Sequence, residues 1–218
     1  MQTQPSISLP ADNNHPNIMV RLKNDTQAAH QHLEKAPCFK RLFAKDYRLN
    51  EYAQLLSYFY GYFSGIEPLL FDNLPTELHS QLLYRRKTHL LQQDLNVLGI
   101  NSAGNLPICE ALPDLTTFAQ KMGALYVLEG SLLGGRVIGR HLSQQLGDDV
   151  SSALNFYHCY GADLETQWRG FAVLMTQCFD SQPEAEINAV LASATATFAT
   201  LGQWVAVCAA KEGSGDFL

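Results

Sequence analysis

A short segment, residues 22–34, carries side chains that could bind a metal ion. His30 lies at the edge of the apolar stripe that this segment would present as a helix, with Lys23 two turns before it and Glu34 one turn after it. An imidazole nitrogen is a common metal ligand, and a carboxylate within reach of the second ring nitrogen is the usual means of orienting it. Periodicity alone does not separate His30 from His32, which flanks the other side of the same stripe.

The second unusual segment, residues 123–142, holds five glycines inside an otherwise good helix pattern. Each glycine costs about 1 kcal/mol of helix stability relative to alanine in an exposed helix, so we expect a favourable interaction at these positions to offset that cost. Gly123, Gly130 and Gly134 fall within about 40° of one another and leave one helix face bare. Two occupants of that face are possible, a closely packed neighbouring helix or a large planar ligand. The adjacent Gly134 and Gly135 also favour a kink.

Composition excludes several classes of protein. The chain has 218 residues, 46% hydrophobic and 17% charged, which is typical of a folded globular protein. The net charge is -6 and the Lys and Arg residues are scattered, so the sequence indicates no basic patch that would bind nucleic acid or anionic lipid. The five cysteines are odd in number and widely spaced, so neither a disulfide framework nor a zinc site is indicated. We find no apolar run of membrane-spanning length and no secretory signal, and expect a cytoplasmic protein.

Helical signals predict an all-α, single-domain, bundle-like fold. Residues 1–17 form a flexible leader, residues 18–210 the helical domain and residues 211–218 a tail. An aromatic-rich stretch near Tyr58 could be a strand on propensity alone, but its length without turn signals favours a buried helix. The predicted helices cover residues 18–35, 50–70, 78–98 with Gly99 as C-terminal cap, 114–146 with Asp114 as N-cap, 163–179 and 183–210.

Four segments of the chain resemble the haem oxygenase family. LKNDTQAAHQHLE, residues 22–34, and LYVLEGSLLGGRVI, residues 125–138, are similar to its two haem-sandwiching helices. The E-G-S-x-L-G pattern in the second is typical of the bacterial branch. RRKTHLLQQDLNVLG, residues 85–99, and YGADLETQWRGF, residues 160–171, also resemble that branch, including members that accompany bacterial phytochromes. The resemblance spans residues 18–208 and implies haem held between a proximal helix and a kinked distal helix.

The resemblance also implies roles for individual residues. His30 becomes the proximal iron ligand and Glu34 its hydrogen-bond partner, while Gly130, Gly134 and Gly135 form the distal backbone over the haem.

Further positions follow from the same resemblance. Lys23 and Arg169 are expected to meet the haem propionates, with a solvated surface charge as the alternative for Arg169. Tyr126 either lines the pocket or packs in the core. Ser131 stands where some family members have an Asp that organises water near bound O2, so the way this chain holds the distal water is open.

The implied activity is oxidative cleavage of haem b, which is both cofactor and substrate, by O2 to biliverdin, CO and Fe2+. Electrons would come from a ferredoxin or a reductase, and a biliverdin-using phytochrome is a further expected partner. The alternative is a haem- or tetrapyrrole-binding protein of the same fold without turnover. A di-iron carboxylate site is excluded because no Glu has a His three positions later. A pure interaction module leaves the glycine-rich face unexplained.

Overall fold

The fold is all-helical, as predicted, in a computed structural model that describes residues 17–72, 74, 82, 84 and 86–214, with side chains up to residue 211. No strand occurs within these residues. The described elements are α1 (Ile18–Glu34), α2 (Pro37–Arg41), α3 (Leu49–Phe71), α4 (Thr88–Val97), α5 (Phe118–Leu146), α6 (Asp148–Ser151), α7 (Leu164–Phe179) and α8 (Glu184–Ser214), with short 3-10 turns at Ala103–Asn105 and Gly161–Asp163. The predicted leader lies outside the described residues except for Asn17.

The aromatic stretch is a buried helix, which confirms that expectation. Tyr52, Tyr58 and Tyr62 of α3 are almost fully buried. Burial is tolerated because the phenols of Tyr52 and Tyr62 donate to the carbonyls of Ala153 at 2.7 Å and Thr197 at 3.1 Å. Continuous burial around the helix overrides the β propensity of its aromatic residues.

The helix predicted over residues 78–98 is not continuous, because Leu82 is helical but Tyr84 is not. Most of residues 73–85 are outside the described part of the chain, but Arg86 and Lys87 are not helical and α4 begins at Thr88. The buried Glu67 carboxylate explains this start. It accepts from the Lys87 amide at 2.6 Å and from the Thr88 hydroxyl at 2.7 Å, which satisfies donors that begin the helix. At the other end Gly99 has φ +86, as expected of a C-terminal cap.

The start of the glycine-rich helix α5 was also predicted too early. Thr117, not Asp114, is the N-cap. Its hydroxyl accepts from the Gln120 amide at 3.2 Å and the Gln120 side chain accepts from the Thr117 amide at 2.8 Å, a reciprocal capping box. Asp114 instead accepts from the side chain of Gln120 at 2.9 Å, so it supports the cap from outside the helix.

The C-terminal helix α8 packs against α1 and α5. Residues Glu184–Lys211 are long and apolar enough to cross a membrane by length and composition, although we expected no such stretch. Val190, Ala194 and Val205 are buried against the rest of the protein, and a core helix passes the same test. We therefore interpret α8 as a core helix. Two short helices, α2 and α6, were not predicted, because five and four residues are too few for a periodic pattern.

Candidate functional site

His30 projects from α1 with about half of its side chain accessible. Its side chain is 53% exposed, and its ring meets that of Phe198 on α8 edge to face, with centroids 5.5 Å apart. Nδ1 lies 3.7 Å from the carboxylate of Glu34, itself 64% exposed. That separation is an electrostatic contact and too long for a hydrogen bond, so the predicted bond between these residues is not formed in this structure. The imidazole can turn to a ligand on its open side.

The glycines of α5 face different neighbours. This corrects the sequence-based expectation that Gly123, Gly130 and Gly134 form a single bare face. A methyl group at Gly123 would overlap the carbonyl oxygen of Val190, so this glycine serves the close approach of α8. A methyl group at Gly135 would lie 3.0 Å from the ring of Tyr157, and one at Gly139 would lie 3.2 Å from the same side chain. Gly135 is therefore covered by the Tyr157 ring and does not present bare backbone.

Gly130 and Gly134 retain the exposed part of that face. Nothing lies within 4 Å of the Cβ direction of Gly134. At Gly130 the nearest group is the edge of the Trp168 indole from α7, at 3.3 Å. Trp168 also meets the ring of Tyr126, one turn earlier on α5, with centroids 5.7 Å apart. The open strip is thus walled at one end by two aromatic rings. Helix α5 continues without a break through these residues, and the kink at Gly134 and Gly135 stays a prediction.

Helices α1 and α5 approach each other at Thr26 and Tyr126, whose side chains interact. Burial raises the pKa of the Tyr126 phenol, and an interaction with the Thr26 side chain, whose hydroxyl donates to the Leu22 carbonyl at 2.7 Å, partly offsets that rise. His30 is four residues from Thr26, and Gly130 is four residues from Tyr126, so each lies about 6 Å along its own helix from this shared contact. The imidazole and the bare backbone therefore belong to the same region of the molecule.

Ser131 is exposed, and its hydroxyl donates to the Leu128 carbonyl of its own helix at 2.8 Å. With the proton engaged in this way, the outward lone pairs of the oxygen can accept a hydrogen bond. The side chain can hold a water molecule as an acceptor, and it brings no negative charge.

The two predicted propionate partners are exposed cations. Lys23 is exposed on α1 and Arg169 is exposed on α7, directly after Trp168. Arg169 donates from Nε to the carbonyl of Glu165 at 3.3 Å. Each cation is therefore accessible to an anionic ligand.

A buried ion pair that sequence reasoning missed lies beneath the glycine face. Glu129, the residue before Gly130, pairs with Lys87, whose side chain is 0% exposed. Lys87 Nζ also donates to the Tyr160 hydroxyl at 3.3 Å and stands 3.4 Å from the ring centre of Tyr84. The pair fixes the turn of α5 that carries Gly130. Lys87 and Glu129 are 42 residues apart, so no periodic pattern links them.

Two aromatic residues of the site were also missed. Trp168 and Phe198 sit at helical positions that are typical of core packing, and only the fold brings them to Gly130 and His30. Together with Tyr126 they make the walls apolar. An exposed imidazole, a bare backbone strip, apolar walls and nearby cations suit a planar, apolar, anionic ligand that contains a metal ion.

Comparisons with known proteins agree with this geometry. The family model described as Heme oxygenase matches residues 16–207. A heme oxygenase from Xanthomonas campestris pv. campestris (strain 8004) is 36% identical over 148 residues, covering 68% of this chain and 84% of that protein.

Solved structures share the fold at lower identity. Heme oxygenase from Leptospira interrogans superposes with a TM-score of 0.69 at 15% identity, over 88% of this chain and 100% of that chain. Heme oxygenase-1 from Synechocystis sp. PCC6803, solved with heme, gives 0.68 at 17% identity, over 91% and 94%. The enzyme from Neisseria meningitidis gives 0.69 at 18% identity, over 89% and 92%. With the family match spanning nearly all the described residues, this chain belongs to the heme oxygenase family.

Proposed function

We propose that this protein binds haem b between His30 and the strip formed by Gly130 and Gly134, and that it cleaves the porphyrin with O2 and external electrons to biliverdin, CO and Fe2+. The observation that carries the proposal is the open backbone at Gly134, in the same region as a half-exposed imidazole. A large flat ring fits against a helix only where side chains are missing. Family membership supplies the reaction class.

His30 is the proposed iron ligand, through the nitrogen that faces away from Glu34. A neutral imidazole can donate from Nδ1 while its other nitrogen binds the metal. The separation of 3.7 Å between Nδ1 and the Glu34 carboxylate is closed by a small rotation of two exposed side chains. Glu34 then fixes the tautomer and the orientation of the ring.

The distal side is assigned to Gly130, Ser131 and Gly134. When bound, haem supplies the redox chemistry that activates O2. The bare backbone leaves room for O2 and for ordered water, and the Ser131 oxygen accepts a hydrogen bond from that water. Gly135 acts from behind, because its contact with Tyr157 lets α5 sit close to the neighbouring loop.

The edge of the ring is positioned by charge and by aromatic walls. Lys23 and Arg169 are proposed to bind the propionates, since both are exposed cations on the helices that flank the strip. Tyr126 and Trp168 close the end of the strip at Gly130. These contacts set the rotation of the porphyrin and thus which meso carbon is attacked.

The reaction needs partners. We propose a ferredoxin or a reductase as electron donor, a biliverdin-using phytochrome as acceptor of the product, and a cytoplasmic location. The support is the resemblance of residues 85–99 and 160–171 to phytochrome-associated members.

A single-turnover haem degradation assay tests the proposal. The purified chain receives one equivalent of haemin, then a ferredoxin and its reductase with NADPH in air. The expected result is loss of the Soret band with biliverdin, CO and chelatable Fe2+ in equal amounts. If haem binds and the Soret band persists under these conditions, the chain is a haem-binding protein without turnover. Iron release without biliverdin would show unspecific oxidation and would also contradict the proposal.

A further inference from the structure

A cleft lies on another side of the glycine-rich helix α5. Its volume is about 460 Å³, which is within the usual range for small-molecule sites. Leu132 and Arg136 line it, and each is two residues beyond a glycine of the strip. Two residues correspond to about 160° around a helix, so the cleft faces nearly away from Gly130 and Gly134.

The cleft has an apolar floor. Leu132, Tyr157, Tyr160 and Leu164 line it and are each at least 95% buried. Two of them are aromatic, and the small area that the four residues leave accessible adds to an apolar lining.

The rim is cationic. Arg136 and Arg140 are one turn apart on α5 and both line the cleft with the imidazole of His158. Arg136 pairs with the exposed Glu165 at 3.0 Å, a surface contact that a ligand can replace at little cost. Arg140 makes no hydrogen bond or ion pair within the part of the chain that the structure describes. Two like charges at this spacing repel each other, and an anion between them relieves the repulsion.

We infer that this cleft is a second ligand site, specific for a small aromatic carboxylate whose ring lies against the apolar floor with its carboxylate between Arg136 and Arg140. A guanidinium binds a carboxylate through paired, charge-assisted hydrogen bonds, and the apolar floor buries the ring. The site is separate from the strip proposed for haem, so the inference does not rest on the proposed function.

A ligand here would touch the residues that support α5 from behind. The Tyr157 ring backs Gly135, and the Tyr160 hydroxyl accepts a hydrogen bond from the buried Lys87. The cleft therefore adjoins the turns that carry the bare strip.

The test uses 2-naphthoate as probe, titrated by calorimetry into the full-length protein with and without one equivalent of haemin. We expect binding in both samples and at least roughly tenfold weaker binding of the neutral 2-naphthalenemethanol, because the charge-assisted bonds are lost. Arg140→Gln should weaken naphthoate roughly tenfold, and Arg136→Gln should act in the same direction. Lys40→Gln, an exposed cation on α2, is the matched control and should change nothing.

Three results would overturn the inference. Naphthoate fails to bind at all, it binds equally well to the Arg140→Gln variant, or it is displaced when haem is added. If haem itself does not bind, the haem-free titrations still decide, because the Arg140→Gln comparison is independent of haem.

Discussion

The buried pair of Lys87 and Glu129 offers the sharpest prediction about stability. The Lys87 side chain is 0% exposed and that of Glu129 is 7% exposed, so replacing Lys87 with Met leaves a carboxylate desolvated without a counter-charge. Breaking a buried ion pair from one side costs about 3–5 kcal/mol, a large part of the roughly 5–15 kcal/mol by which domains are stable. With a urea m-value of about 2–3 kcal/mol per M, the midpoint should fall by about 1–2 M.

The assay is urea unfolding followed by circular dichroism at 222 nm, with Lys40→Met as an exposed control whose loss should stay within about 0.5 kcal/mol. The double variant Lys87→Met with Glu129→Leu should regain most of the lost stability, since both charges are then gone. A loss below about 1 kcal/mol for Lys87→Met, or a double variant as unstable as the sum of the singles, would refute the reasoning.

Three further predictions concern α5 and the charged surface. Gly134→Ala should raise the free energy of unfolding by up to about 1 kcal/mol and weaken haem binding, whereas Gly123→Ala should lower the free energy of unfolding by about 1–3 kcal/mol. Urea unfolding measures the stability of both variants, and haem titration measures their affinity for haem. An unchanged haem affinity in Gly134→Ala would contradict the proposed haem site. Thr117→Ala should cost about 1 kcal/mol in urea unfolding, and an unchanged midpoint would refute its role as N-cap. Arg41 holds the pKa of the Asp46 carboxyl below its ordinary value, so the stability it contributes is present above about pH 4 and is lost as pH falls. The urea midpoints of the wild type and Arg41→Gln should therefore differ near pH 7, and the difference should narrow as the pH falls below about 4. A difference that widens in acid would contradict this prediction.

The helices could be predicted from sequence because local signals carry them. Apolar positions at helical spacing predicted α1, and a glycine with positive φ ends α4 as predicted. The start of α5 could not be fixed, since Asp114 and Thr117 are both good caps and only the bonds to Gln120 decide between them.

The site was predictable only where chemistry is visible in the residue types. The cost of glycine in a helix marked the strip, yet the sequence could not divide it between Gly134, which is open, and Gly123, which serves helix packing. The wall at Trp168 and the buried Lys87 depend on contacts between segments that are far apart in the chain. Such contacts are set by tertiary packing and leave no periodic signal.

The central claim is that His30 binds the iron of haem, and the visible spectrum of the haemin complex tests it most directly. His30→Ala is compared with His32→Ala, its neighbour on the same helix, each with one equivalent of haemin and then with added imidazole. The account predicts that His30→Ala alone loses the histidine-ligated spectrum and that imidazole restores it, while its urea midpoint stays near that of the wild type because the side chain is 53% exposed. A His30→Ala complex with the wild-type spectrum, or a loss confined to His32→Ala, would contradict it.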